Sequence, residues 1–436
     1  MFKGWCLGCA GAPLLAQKLA AAVVAGGLAC GVASAATGQP VTVTVWMHAG
    51  AGPERQATQE AVDAFNQRNP DTQVSLVAQP EGTYQQLLER AAAQKQLPCL
   101  LDLDGPNIPY WAARGHLLAL DPLVDREGFQ RRMLRTIYAQ GLYGGRLYSL
   151  GQYDSGLALW GNRRWLAKAG VRIPFTDLKP WTLEEFETAL AALKKAGARQ
   201  AMDMKFEYGV GEWLTYAVLP VIQGHGGEWV TEQQGHLRAQ GALDSPATVQ
   251  AMRSLQQWIK QGWIDPTGKG ANDFPEGRAG LSYAGHWVYR DYRKALGEDL
   301  VLLPMPHFGA KTVTGAGAWG WAIAASCAHP KEAARVLEHF MTKEEVRRVT
   351  QANGAIPAVL DAILSSHEYG MQGPLRIYVD QIMGRKARLR PVTPAYPQIS
   401  AVFSSAVQAV AEGADVQDVL QKAAARTDQI LKEAQR

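Results

Sequence analysis

At 436 residues, 47% hydrophobic and 19% charged, the chain is too long for one ordinary core, and two lobes of roughly 150–200 residues each are expected of such a globular composition. Its 44 basic residues against 40 acidic ones exclude any electrostatic case for nucleic acid or an anionic membrane surface. Five cysteines exclude a disulfide-dense scaffold.

Residues 1–35 stand apart. Lys3 and Lys18 precede or flank an apolar stretch over residues 19–33, and Ala33-Ser34-Ala35 follows, the pattern of a cleaved signal peptide. A spanning helix needs about 18 or more uninterrupted apolar residues, and this stretch is shorter and rich in Gly and Ala. Leu28-Ala29-Cys30 partly matches a lipoprotein signal, but Gly27 stands where an aliphatic residue is required, so cleavage near Ala35 and a periplasmic location are expected. The CxxC of Cys6 and Cys9 falls in the part to be removed and receives no function. Cys99 and Cys327 remain, either as one disulfide or, the plainer reading, as two buried thiols.

The mature region opens with VTVTVW at residues 41–46, which alternates and is β-branched, then a Gly-rich turn and a helix over 53–68 with Ala57, Ala61, Val62 and Phe65 on one face. A second strand is expected at 74–78, a capping box at Thr83 and Gln86 opening a helix, and a third strand at 100–103. Further on, Thr182 with Glu185 caps a helix that closes at Gly197, and Ser245-Pro246 starts another that closes at Gly262. Strand and helix in alternation predict parallel sheets flanked by helices. Ligands bind such sheets beyond the carboxyl ends of strands, which singles out the loops at 48–53, 102–107 and 285–287.

Thirteen Trp and fourteen Tyr are many, and Trp213, Tyr216, Trp229, Trp287, Trp319 and Trp321 sit in or beside Gly-rich segments. A pyranose buries its CH-rich face on an aromatic ring while its hydroxyls need carboxylates, amides and guanidinium groups at the edge. Asp104, followed by Gly105-Pro106-Asn107, is placed for hydrogen bonding; Asp102 reads as a solvated strand end. Gly315, Gly317 and Gly320 have the dinucleotide-fingerprint spacing, but the following WAIAAS reads as a strand where a helix is required. Nine His show no metal-site spacing, and Ser155 lacks a GxSxG context.

VTVTVWMHAG with EAVDAFNQRNPDTQV, LDLDGPN with GHLLALDPL, LALWGNRRWLAKAGV with PWTLEEF, and then YAGHW, GAGAWGWAI and RPVTPAYPQI occur in an order that resembles the family 1 extracellular solute-binding proteins, which include maltose- and glycerol-3-phosphate-binding components of ABC importers. The resemblance implies an α/β, two-lobed periplasmic-binding-protein fold. Each lobe would be a mainly parallel sheet flanked by helices: residues 36–152 with 306–357, and 153–305 with 358–436. The hinge crossings it implies lie near 151–154, 304–307 and 356–358. It implies that Tyr84, Asp104, Ser155, Trp287, Gly317 and Arg390 bind ligand, with His48, Asn107, Trp213 and Tyr396 as further candidates; Trp319 is a candidate on its own Gly-rich neighbourhood. The function implied is capture of a carbohydrate by lobe closure and delivery to transmembrane permease subunits, by a monomer that needs no cofactor or metal and performs no catalysis. Ala355 stands where the glycerol-3-phosphate binders carry an aromatic residue. The rival readings are an exported carbohydrate-active enzyme, a binder of a non-sugar solute such as glycerol phosphate, and a sensory accessory protein.

Overall fold

The structure, a computed structural model, describes residues 39–434 apart from residue 51. The leader, Cys30 and the Cys6 and Cys9 pair lie outside the described residues. From the N-terminal side the chain forms β1 (Val41–His48), α1 (Gly52–Arg68), β2 (Thr72–Gln79), α2 (Glu81–Ala93) and β3 (Leu100–Asp104). β1 pairs in parallel with both β2 and β3. Val43, Val45 and Met47 are buried while Thr42 and Thr44 face solvent, as the two-residue period of a half-covered strand requires. Two short strands, β4 (Ser149–Leu150) and β5 (Tyr153–Asp154), then lead into a second sheet.

That sheet is built from β6 (Ala158–Asn162), β7 (Gln200–Asp203), β8 (Ala279–Ala284) and β9 (Leu300–Leu303), in the order β9-β6-β8-β7. Its helices include α3 (Leu183–Lys195), α4 (Glu212–Gly224) and α5 (Pro246–Lys260). The chain returns through β10 (Thr314–Gly315) to β11 (Trp319–Ile323), which completes the first sheet in the order β2-β1-β3-β11-β4. α6 (Pro330–Phe340), α7 (Lys343–Asn353), β12 (Ile356–Pro357) and β13 (Ala387–Arg388) follow, and α8 (Tyr396–Ala411) and α9 (Val416–Glu433) pack with α4 and α5.

In each sheet one strand runs against the rest: β11 in the first and β6 in the second. The cause is the route of the chain. Strands delivered by helical crossovers end at one edge of the sheet, whereas β6 and β11 arrive from the other sheet and must start there. Mainly parallel sheets are therefore found, each with one reversal. The passages between sheets are tied together, since β5 pairs with β12 and β10 with β13. Between β9 and β10, His307 forms isolated bridges to Thr182 and Thr312.

Local signals fare unevenly. The Thr182 hydroxyl accepts from the Glu185 N–H at 3.1 Å and the Glu185 carboxylate accepts from the Thr182 N–H at 2.9 Å, a complete capping box. Ser245 caps α5 with Pro246 in its first turn. The box expected at Thr83 and Gln86 does not form: α2 begins at Glu81 and Thr83 lies inside its first turn. Pro80 leaves the chain extended (φ −57°, ψ 125°), so the helix can start at the next residue. Cys99 and Cys327 are not free buried thiols but a disulfide, with Cα atoms 4.6 Å apart. Antiparallel pairing of Leu100 with Ile323 carries the flanking residues into reach of one another.

Candidate functional site

His48 at the end of β1, Asp104 at the end of β3 and Trp319 at the start of β11 share one edge of the first sheet, Asp104 and Trp319 being direct cross-strand partners. Asp102 is not a solvated strand end. It is 3% exposed, accepts the His48 backbone N–H at 3.0 Å and holds its Nδ1 at 2.5 Å. The imidazole lies flat against Trp319, with ring centroids 3.8 Å apart and planes 9° from parallel, so the carboxylate sets the imidazole and the imidazole sets the indole. Tyr84 stands at a tilt to Trp319, and its buried hydroxyl donates to the Trp46 carbonyl at 3.2 Å.

Glu54, in the first turn of α1, reaches the same edge and accepts from the Tyr153 hydroxyl at 2.9 Å. Burial pushes its carboxyl pKa up, against the pull of His48. Met47, Glu54, Asp102, Tyr153, Trp319 and Trp321 line a pocket there.

Across from it, the carboxyl ends of β7 and β8 carry the aromatic residues. The loop after β7 passes through a left-handed Lys205 (φ 59°), whose ammonium is buried against Asp203 at 2.6 Å and Glu207 at 3.1 Å. This anchors Tyr208, which is 47% exposed. Trp287 follows β8 and donates its Nε1–H to the Tyr208 hydroxyl at 3.1 Å. Trp213 stands edge-on to both, at 5.8 Å from Trp287 and 5.2 Å from Tyr208. His286 links the two edges, lying between Trp287 and Tyr153; burial pushes its pKa down to about 4, so it is neutral at ordinary pH.

The floor is ionic. Arg390, 8% exposed, forks onto both oxygens of Asp104 at 3.0 and 3.1 Å and donates to Glu212 at 2.6 Å. Glu212 opens α4 and also accepts from the Tyr396 hydroxyl and from Ser400 at 2.9 Å. Burial works against the charged guanidinium, but Asp104, Tyr396 and Glu212 hold its pKa well above the ordinary arginine value; burial raises that of Glu212. The guanidinium lies 4.9 Å from the centre of the Tyr216 ring. Beside it Asp154 accepts from Thr136 at 2.5 Å, from the Ser155 N–H at 2.8 Å and from the Gly317 N–H at 2.9 Å, and burial raises its carboxyl pKa. Gly317 has φ +102°, and a Cβ there would meet the Gln140 amide at 2.7 Å, so a side chain is excluded on both counts.

These contacts, with the electrostatic pull of His48 on Glu54, close a belt: Trp319, His48, Glu54, Tyr153, His286, Trp287, Trp213, Tyr216, Arg390, Asp104 and Trp319 again. Of the residues expected from the sequence, His48, Asp104, Trp213, Trp287, Trp319 and Arg390 lie on it. Tyr84 supports Trp319, Tyr396 holds Glu212, and Ser155 and Gly317 flank Asp154. Asn107 sits half-buried at the end of the turn after Asp104, with no side-chain hydrogen bond among the described residues. Sequence reasoning missed Glu54, Tyr153, Asp154, Tyr208, Glu212 and His286. Asp154 and Glu212 had a readable signal, the first beside Ser155 in YDSG and the second between Gly211 and Trp213 at a helix start.

Known proteins share this architecture. The GacH receptor of Streptomyces glaucescens, solved unliganded and with acarbose, superposes with a TM-score of 0.77 at 20% identity over 90% of this chain and 99% of its own. UgpB of Mycobacterium tuberculosis, solved with glycerophosphocholine, gives 0.76 at 19% identity over 90% and 98%. MalE of Xanthomonas citri, a sugar-binding protein, gives 0.73 at 19% over 90% and 98%. A candidate binding protein of Brucella abortus is 23% identical over 441 aligned residues, 96% of this chain and all of its own. The family model of the bacterial extracellular solute-binding proteins matches residues 51–347, and the chain belongs to that family.

Proposed function

We propose that this protein captures a carbohydrate outside the cytoplasm and delivers it to the transmembrane permease subunits of an ABC importer. The observation that carries the reading is the belt. Aromatic faces from the second sheet stand opposite carboxylates, an imidazole and one aromatic face from the first, the two surfaces a pyranose offers in complement. Solved relatives bound to acarbose, cyclic α-maltosyl-1,6-maltose and maltotetraose support the same class of ligand. Trp287, Trp213 and Trp319 take the apolar faces of the sugar. Asp104, Asn107, Ser155 and Glu212 take its hydroxyls, and Tyr84, His48, Gly317, Arg390 and Tyr396 hold the geometry.

The lobes, residues 36–152 with 306–357 and 153–305 with 358–436, close on the ligand because it touches both. The protein is exported by a leader cleaved near Ala35, acts as a monomer, needs no nucleic acid, and binds without turnover. The test is a thermal-shift screen of the purified mature chain against mono-, di- and oligosaccharides, since a ligand of the folded state raises the melting temperature by mass action. A saccharide that raises it and is recovered intact supports the reading. A saccharide recovered cleaved turns it into an enzyme, and no shift with any saccharide overturns it.

A further inference from the structure

We infer that the solute carries no negative charge: the cleft selects a neutral or amino-bearing saccharide and rejects its uronate or phosphate counterparts. This rests on the sugar-binding reading above and narrows it. Arg390, Lys205 and His48, the basic side chains of the site that can carry charge at neutral pH, each already have an acidic partner. Arg390 spends its fork on Asp104 and a further donor on Glu212. Lys205 pairs with Asp203 and Glu207, and His48 with Asp102. Glu54 and Asp154 add two more buried carboxyls.

A helix N-terminus is the other common seat for an anion. Two long helices that open at the belt, α1 and α4, carry Glu54 and Glu212 in their first turns, so there the chain's own carboxyls occupy the favourable end of the dipole; α8 has no acid in its own first turn, but its Tyr396 and Ser400 hydroxyls are taken by Glu212. An entering phosphate or carboxylate would have to evict Asp104 or Glu212 from a guanidinium that is 8% exposed, leaving a half-buried acid without its counter-ion. A hydroxyl asks for no such exchange. The Tyr216 hydroxyl, buried and without a hydrogen-bond partner among the described residues, is an uncharged group on the belt of the kind a sugar hydroxyl satisfies. An ammonium would meet carboxylates and ring faces.

The test is isothermal titration of the mature protein at pH 7 and low salt with three series: D-glucose, D-glucosamine and D-glucuronate; maltotriose, the glucosamine trimer and trigalacturonate; and glycerol 3-phosphate with inorganic phosphate. The expected result is that the acidic members bind at least about tenfold more weakly than the tightest neutral or amino member. An acidic saccharide or a phosphate binding as tightly as the best neutral sugar overturns the inference and leaves sugar binding intact for the former. Silence with every saccharide overturns the reading beneath it as well. Asp104→Asn, which releases one carboxylate from Arg390, is expected to narrow the discrimination; an unchanged ratio would overturn its assignment to the paired guanidinium.

Discussion

The two edges of the cleft are built from the same kind of position, the loops beyond strand ends, yet they carry different chemistry. The first-sheet edge offers Asp102, Asp104, Glu54 and His48 around the indole of Trp319, each held by another polar group. The second offers Tyr208, Trp213 and Trp287 in mutual edge-on contact, with Tyr216 behind them. Under the proposed function, recognition is divided between the two edges: one would supply directional hydrogen bonds, the other adaptable apolar faces. Arg390 belongs to neither set alone, since it joins Asp104 of the first sheet to Glu212 of α4.

The comparison is broken hardest at that joint. Arg390→Ala removes a buried guanidinium and leaves two half-buried carboxyls facing each other, which should cost about 3 kcal/mol of stability, the lower end for a broken buried pair, read from urea unfolding; a variant as stable as the parent would show that the edges do not depend on one another there. Next comes the far end of the first sheet. The Cys99 to Cys327 bond closes a sequence separation of 228 residues at the opposite end of β3 from Asp104, so the double Cys→Ala variant should lose about 2–4 kcal/mol of stability while saccharide affinity stays within twofold of the parent, roughly the noise of such a measurement.

The second edge carries its own pH signature. His286 has a folded pKa of about 4 against 6.5 unperturbed, so between those values the unfolded chain binds a proton that the folded one refuses. Its contribution is whole above pH 6.5 and shrinks as pH falls to about 4, by up to about 3 kcal/mol. The stability difference between the parent and His286→Phe should change in that sense across the window, and a flat difference would place His286 in contact with water. Trp287→Ala tests the division of labour directly: half-buried, it should lose about 2 kcal/mol of binding, near thirtyfold in Kd, with little change in melting temperature. If Trp319→Ala costs far more, the aromatic work belongs to the polar edge. Smallest is Thr182→Ala, remote from either edge, which should cost about 1 kcal/mol of stability through its lost cap and leave affinity alone.

Much of this was legible in local pattern. Strand β1 shows its alternation, α1 its apolar stripe and α3 its capping box, because burial on one face and capping of a terminus are satisfied by residues a few positions apart. The loops after β1, β3 and β8 were legible as breaks at strand ends for the same reason, being marked by Gly and Pro where strands stop. The capping box misread at Thr83 shows the limit, since a matching tetrapeptide does not say which turn it occupies once Pro80 permits an earlier start.

What the tertiary structure alone decided are the pairings of residues far apart in the chain: Arg390 with Asp104 and Glu212, His48 beneath Trp319, Cys99 with Cys327, and Tyr153 with Glu54. Each depends on the three passages between sheets, which fix which strand ends share an edge and reverse β6 and β11. Sequence by itself determined the elements and the kind of side chain at their ends. Whether a charge there meets solvent, ligand or an opposite charge is set by contacts more than 50 residues distant, such as His48 with Asp102, and no local pattern encodes them.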